Sequence, residues 1–155
     1  MKNLRKICIF IFTIILFYSC SSSKHSSSPT KIIAGNWQLQ KIVSEGVTGK
    51  MNFKLFDEAN FNCFVGSSWS FTSKDHLGTY SISKNADECA AAKRNISWSI
   101  DEPADKPKQF YFKRIDGNSE FRFTIVQLDK NTMQLKSDAV VDGNSATFTY
   151  NFIRM

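Results

Sequence analysis

Enzymes need a nucleophile beside a base, a pair of carboxylates or a cluster of metal ligands, and this sequence is poor in all three. It holds two histidines. His25 lies in the serine-rich stretch 21–28, and His76 follows Lys74-Asp75 in a turn-like segment, where a solvated histidine is far more common than a general base. Acidic doublets stand at Asp57-Glu58, Asp87-Glu88 and Asp101-Glu102. The stretch Asp101-Glu102-Pro103-Ala104-Asp105 carries oxygen ligands but lacks the spacing and central glycine of a Ca²⁺ loop, so it reads as a solvated turn. Asn95-Ile96-Ser97 fits the glycosylation acceptor pattern inside a strand-like segment. Of the cysteines Cys8, Cys20, Cys63 and Cys89, the last two have no nearby histidine and make half of a tetrahedral zinc set. No catalytic residue, metal or cofactor is expected, and the chain is not expected to be an enzyme.

The chain has 155 residues, the usual length of one domain, and its 42% hydrophobic and 14% aromatic content excludes a disordered, collagenous or coiled-coil protein. Its formal charge of +6 hints at nucleic acid, but Lys2, Arg5 and Lys6 crowd the first six residues. They precede the apolar run Ile7 to Tyr18, which is too short to cross a bilayer and reads as the hydrophobic region of a signal peptide over residues 1–19. The following Ser19-Cys20 resembles the lipobox of bacterial lipoproteins, which implies cleavage before Cys20 and its acylation, with palmitate among the acyl groups. Without residues 1–19, three of the 20 basic side chains go and 17 stand against 14 acidic ones, a net +3. No basic stripe interleaved with aromatics remains, so nucleic acid is not expected as a partner. Residues 20–33 are then a lipidated cysteine and a polar tether. The resemblance implies a cell-envelope lipoprotein held to a membrane by its lipid. Because Ser21 is not the acidic residue that retains lipoproteins in the inner membrane, the expected location is the outer membrane, facing the periplasm. Cys63 and Cys89 form an even pair in that oxidising compartment, and a disulfide between them is expected. It would close a loop of about 27 residues, for which chain entropy gives roughly 3.5 kcal/mol.

Residues 34–155 must supply the elements that position anything functional. From Gly35 onward apolar and polar residues alternate with period two, the pattern of strands with one buried and one solvated face. Eight stretches are recognisable, marked by Trp37 and Leu39; Trp69 and Phe71; Tyr80 and Ile82; Ile96, Trp98 and Ile100; Phe110 and Phe112; Phe121, Phe123 and Ile125; Met133 and Leu135; and Phe148, Tyr150 and Phe152. Turn residues such as Asp116-Gly117-Asn118, Asp129-Lys130-Asn131 and Asp142-Gly143-Asn144 join consecutive strands as hairpins. An all-β, eight-stranded antiparallel up-and-down barrel is expected because closure removes exposed edges, with a two-sheet β-sandwich as the alternative. Residues 44–66 break the rhythm, and their Phe53, Phe56, Phe61 and Phe64 form either an exposed patch or a lid over one barrel end.

Gly35-Asn36-Trp37 at the head of the first strand resembles the Gly-x-Trp of lipocalin and calycin barrels. Its setting is similar to the lipocalin-like domain of small bacterial lipoproteins: Cys63, Trp69-Ser70-Phe71, Gly78-Thr79-Tyr80, Cys89, Ile96-Ser97-Trp98, Ile125-Val126-Gln127-Leu128, Thr132-Met133-Gln134-Leu135 and a last aromatic strand ending at Arg154. The Thr-Asp-Tyr motif of larger lipocalins is absent from the sequence. In an even-stranded barrel the last strand returns beside the first, so Arg154 should lie over Trp37 as a cation–π cap on the barrel floor.

An eight-stranded barrel is just wide enough for one small ligand or for its own side chains. The resemblance implies a small hydrophobic ligand, and Trp69, Trp98, Phe112, Phe123 and Tyr150 are the expected pocket wall, with Tyr150 as its polar handle. The alternative is a packed barrel that serves the cell envelope as a structural module or binds a protein or glycan partner.

Overall fold

The computed structural model describes residues 28–47, 53–83 and 89–155. The expected signal peptide, Cys20, most of the expected tether and Asp87-Glu88 therefore lie outside the described residues. Alternation fixes the strands. β1 (Gly35–Glu45), β4 (Ser68–Phe71), β5 (Leu77–Ile82), β6 (Ala92–Asp101), β7 (Gln109–Arg114), β8 (Glu120–Leu128), β9 (Thr132–Val141) and β10 (Asn144–Arg154) close into one antiparallel barrel, in the order β1-β10-β9-β8-β7-β6-β5-β4. The sandwich alternative is therefore set aside. In β10 every second residue from Ala146 through Phe148, Tyr150 and Phe152 is buried. In β1 the register shifts between Leu39 and Lys41, so the buried set Trp37 and Leu39 continues at Ile42 and not at residue 41.

The irregular segment resolves into β2 (Lys54–Leu55) and β3 (Ala59–Asn60), which form a small separate hairpin, and α2 (Phe61–Phe64). Asn60 caps α2 by accepting from the amide of Asn62 at 3.1 Å. The last five residues of the expected tether form α1 (Pro29–Ile33), opened by proline, which suits a first helical turn. Ile33 is fully buried beneath the barrel.

Cys63 on α2 and Cys89 are joined by a disulfide with Cα atoms 5.4 Å apart. Since α2 follows the hairpin directly, the bond ties that insertion to the segment entering β6. Replacing both cysteines by serine is expected to lower the unfolding free energy by about 3 kcal/mol, read as a fall in the urea midpoint; an unchanged midpoint would show that the crosslink adds nothing.

Candidate functional site

Both ends of the barrel and its interior can be built up from single residues. At the floor, β1 and β10 place Trp37 opposite Arg154, and the guanidinium carbon lies 4.3 Å from the Trp37 ring centre. Arg154 donates from Nη1 to the carbonyl of Ala34 at 3.0 Å, from Nη2 to that of Ile32 and from Nε to that of Lys130. Trp37 Nε1 donates to the Ile33 carbonyl at 2.7 Å. The arginine thus stitches α1 and the β8–β9 turn to the last strand. Gly35, at φ +127°, is what admits it, because a Cβ there would collide with Nη1.

The interior is aromatic. Trp69, Phe112, Phe123 and Tyr150 all border a central void of only about 10 Å³, together with Phe56, Phe71, Phe110, Leu135 and Phe152. That is no more than one water molecule occupies. Trp98 does not reach it. Its ring packs on Phe71 (5.6 Å) and Phe110 (6.2 Å) beneath His76, with Nε1 donating to the Leu77 carbonyl at 3.0 Å, so it is part of the wall nearer the floor and not a pocket residue. The hydroxyl of Tyr150, the expected polar handle, is already paired with Ser137 Oγ at 3.1 Å.

Phe56, whose ring packs among those of the barrel interior, comes from the irregular segment. The Leu55–Glu58 turn, closed by Glu58 N donating to the Leu55 carbonyl at 3.1 Å, carries the ring inward. It lies 4.9 Å from Phe64, 5.0 Å from Phe112, 5.2 Å from Phe121 and 6.0 Å from both Phe123 and Tyr150. Phe53 stacks on Phe148 at 5.5 Å beside it. Phe56 and Phe64 are buried, so the exposed-patch expectation for these phenylalanines gives way to the lid.

Above the turn, Glu58 gathers three partners from three strands. Tyr80 donates its hydroxyl to Glu58 Oε2, Arg94 Nη2 lies 2.7 Å from Oε1, and Arg114 Nη1 lies 3.9 Å from Oε2. Burial and the Glu58 carboxylate push the Tyr80 phenol well above its ordinary range. Burial also pushes Tyr150 up to about 12, the bond to Ser137 acting against it. A phenol with a raised folded-state pKa stabilises the fold fully below its unfolded value near 10, and that stability is lost as pH climbs through the folded value. Between pH 10 and 12 the protein should therefore lose about 2 kcal/mol through Tyr150, and Tyr150→Phe should lose correspondingly less over the same interval in urea titrations. Equal losses in both proteins would place the alkaline transition elsewhere.

The barrel wall has a split. β8 and β9 are paired only from Thr124↔Lys136 to Leu128↔Met133. Above that, Glu120 to Phe123 pair with β7 alone, and Ser137 to Val141 with β10 alone. A cleft of about 740 Å³ occupies this fissure. It touches the outward side chains Tyr111, Arg122 and Lys136 and also the inward Phe121, Phe123, Phe148 and Tyr150, which is feasible only where the wall is open. Lys54, Asp57, Glu120 and Asp138 complete a rim of mixed charge. His76 sits in its turn at φ +55°, as expected of a turn residue, and among the described residues no three His, Cys, Asp or Glu side chains come together as a metal set.

A closed eight-stranded barrel with Gly-x-Trp at its floor is matched by sequence: residues 33–135, well over half of the chain, fit the lipocalin-like domain family. The chain belongs to the lipocalin-like domain family. The match ends within β9, so β10 and its Arg154 complete the barrel beyond it. No curated protein matches this lipocalin-like chain. Two solved structures are similar to it. A lipocalin-like protein from Bacteroides uniformis is 10% identical, with 80% of this chain and 99% of that chain covered at a TM-score of 0.48. Bovine odorant binding protein, in complex with a selenium-containing odorant, is 13% identical, with 87% and 78% covered at a TM-score of 0.49.

Proposed function

We propose that this lipocalin-like protein is a membrane-anchored lipoprotein of the cell envelope whose barrel binds a small hydrophobic ligand. The observation that carries the binding half is the fissure between β8 and β9, an opening of about 740 Å³ with charged residues at its rim and Phe121, Phe123, Phe148 and Tyr150 within. Apolar linings with a polar mouth are the usual design of small-molecule sites. The anchoring half rests on the basic start, apolar run, Ser19-Cys20 and serine-rich tether, with acylation at Cys20 and residence in the outer membrane facing the periplasm. Metabolic labelling with palmitate should mark the wild type and not Cys20→Ala, and fractionation should recover it with the outer membrane; recovery in the cytoplasm sinks the anchoring. For binding, a native mass spectrum of the mature protein should carry a lipid-sized adduct lost on collisional activation.

A second reading is favoured by the barrel's interior, whose central void is about 10 Å³. A packed barrel would serve as a structural module or meet a protein or glycan through its outer face. An apo mass that persists after incubation with a host lipid extract would favour it over the ligand carrier.

A further inference from the structure

We propose that Phe56 is the resident occupant of the barrel's binding volume and that an uncharged ligand bearing a single aromatic ring exchanges with it through the β8–β9 fissure. This rests on the ligand-binding reading above and adds to it the ligand's chemistry, the side chain it must displace and the route.

Backbone geometry gives the first argument. Phe56 and Asp57 have φ of +56° and +55°, the left-handed region that favours Asn, Asp and Gly and is rare for a bulky side chain. The same chain builds its β9–β10 turn from Asp142 at +51° and Gly143 at +79°, residues suited to those angles. A phenylalanine at the equivalent kind of position in the smaller hairpin serves the ring it carries inward, at the expense of the turn.

Attachment gives the second. β2 and β3 pair with each other and, among the described residues, with no barrel strand. The disulfide on α2 anchors the hairpin at its C-terminal end, and the rest is held by side chains: Glu58 on Tyr80, Arg94 and Arg114, and Phe53 stacked on Phe148. It can swing on that anchor without breaking the sheet. The other seven rings around the void, those of β4, β7, β8 and β10, belong to barrel strands, so admitting a ligand at the void means moving Phe56.

The surroundings of Phe56 define the ligand. Phe64, Trp69, Phe112 and Phe121 meet its ring edge to face at 63° to 84°, while Tyr150 lies nearly parallel at 27°. These are the geometries aromatic pairs prefer. The void has no charged residue in its lining, and Tyr150 is engaged with Ser137, which leaves a slot for a flat, uncharged six-membered ring.

The test uses the full chain in lipid nanodiscs, labelled with 4-fluorophenylalanine and titrated with toluene against empty nanodiscs, with the Phe56 fluorine resonance assigned by its loss in Phe56→Leu. Toluene should move that resonance saturably to a solvent-exposed position, shown by its deuterium isotope shift. Glu58→Gln, which keeps an acceptor for Tyr80 and removes the ion pair, should lower the midpoint roughly tenfold by raising the open fraction. In Phe56→Gly the same Glu58→Gln change should leave toluene affinity unaltered, since nothing remains to displace. If wild type binds toluene while the Phe56 resonance stays put, the proposal is overturned and the ligand-binding reading survives with a different site. If Phe56→Gly binds toluene saturably but no toluene concentration moves Phe56 in wild type or in Glu58→Gln, Phe56 is a permanent core residue and the proposal is overturned. If none of the proteins binds toluene while the mature wild type carries a lipid adduct in its mass spectrum, the ring class is wrong; if neither is seen, the ligand-binding reading fails with it.

Discussion

Arg154→Ala is expected to lower the unfolding free energy by about 3 to 5 kcal/mol, more than an arginine next to the chain terminus would ordinarily cost. The guanidinium satisfies the carbonyls of Ile32, Ala34 and Lys130 and covers the face of a fully buried Trp37, so its loss strands three acceptors and uncovers an indole together. Hydrogen bonds from a charged donor contribute about 1.5 to 3 kcal/mol each, and a desolvated cation–π contact about 2, before the non-additivity of groups that share one side chain reduces the sum. Arg154→Lys should recover little, because one ammonium cannot fork to three carbonyls. Gly35→Ala should damage the same contact from the other side, by filling the space Nη1 occupies and straining φ +127°. Urea denaturation followed by tryptophan emission measures all three. A loss below about 1 kcal/mol for Arg154→Ala would reduce the residue to an ordinary surface arginine.

That contact was legible from sequence because it follows from topology. Once eight period-two segments close in an up-and-down order, residue 154 must return beside residue 37, and the register pairs them. The disulfide was legible by elimination: with Cys8 and Cys20 assigned to the expected signal and lipid anchor, Cys63 and Cys89 remain, and the structure joins them. Period two, however, reports which face a side chain occupies and not its height along the barrel. Trp98 alternates as cleanly as Trp69, yet it packs toward Phe71 and His76 while Trp69 borders the void. The fissure left no trace in the sequence either, because β8 keeps its alternation through Phe121 and Phe123 whether its neighbour on that side is present or missing.

Residues 53–64 were the least readable, and the reason is physical. A strand buries every second residue, and a helix buries one stripe, but a turn buries whatever stands at its tip. Phe56 is buried by the direction in which a seven-residue hairpin points, a property without sequence period. Glu58 likewise read as half of a solvated doublet, since Tyr80, Arg94 and Arg114 reach it from three strands distant in sequence. The available signal was compositional: four phenylalanines in a segment too irregular to bury them by itself must be buried by something else.

Removal of the Phe56 ring yields the second large effect, and its informative part is a sign. Phe56→Ala should destabilise the protein by about 3 to 5 kcal/mol, the usual cost of deleting a buried phenyl group. At an ordinary position glycine would then be worse than alanine by about 0.5 to 1 kcal/mol, because it gives up more backbone freedom on folding. At φ +56° the order should reverse, with Phe56→Gly more stable than Phe56→Ala by about 1 kcal/mol, since a Cβ is what makes the left-handed region costly. Phe112, in a regular strand and touching the same ring at 5.0 Å, supplies the control: there Phe112→Gly should be the less stable of the pair. Opposite orderings at the two sites would measure directly the strain that the turn carries to keep a phenyl ring in the barrel. If glycine is worse than alanine at both, the turn at Phe56 is relaxed, and the ring has no stored strain to help it yield its place to a ligand.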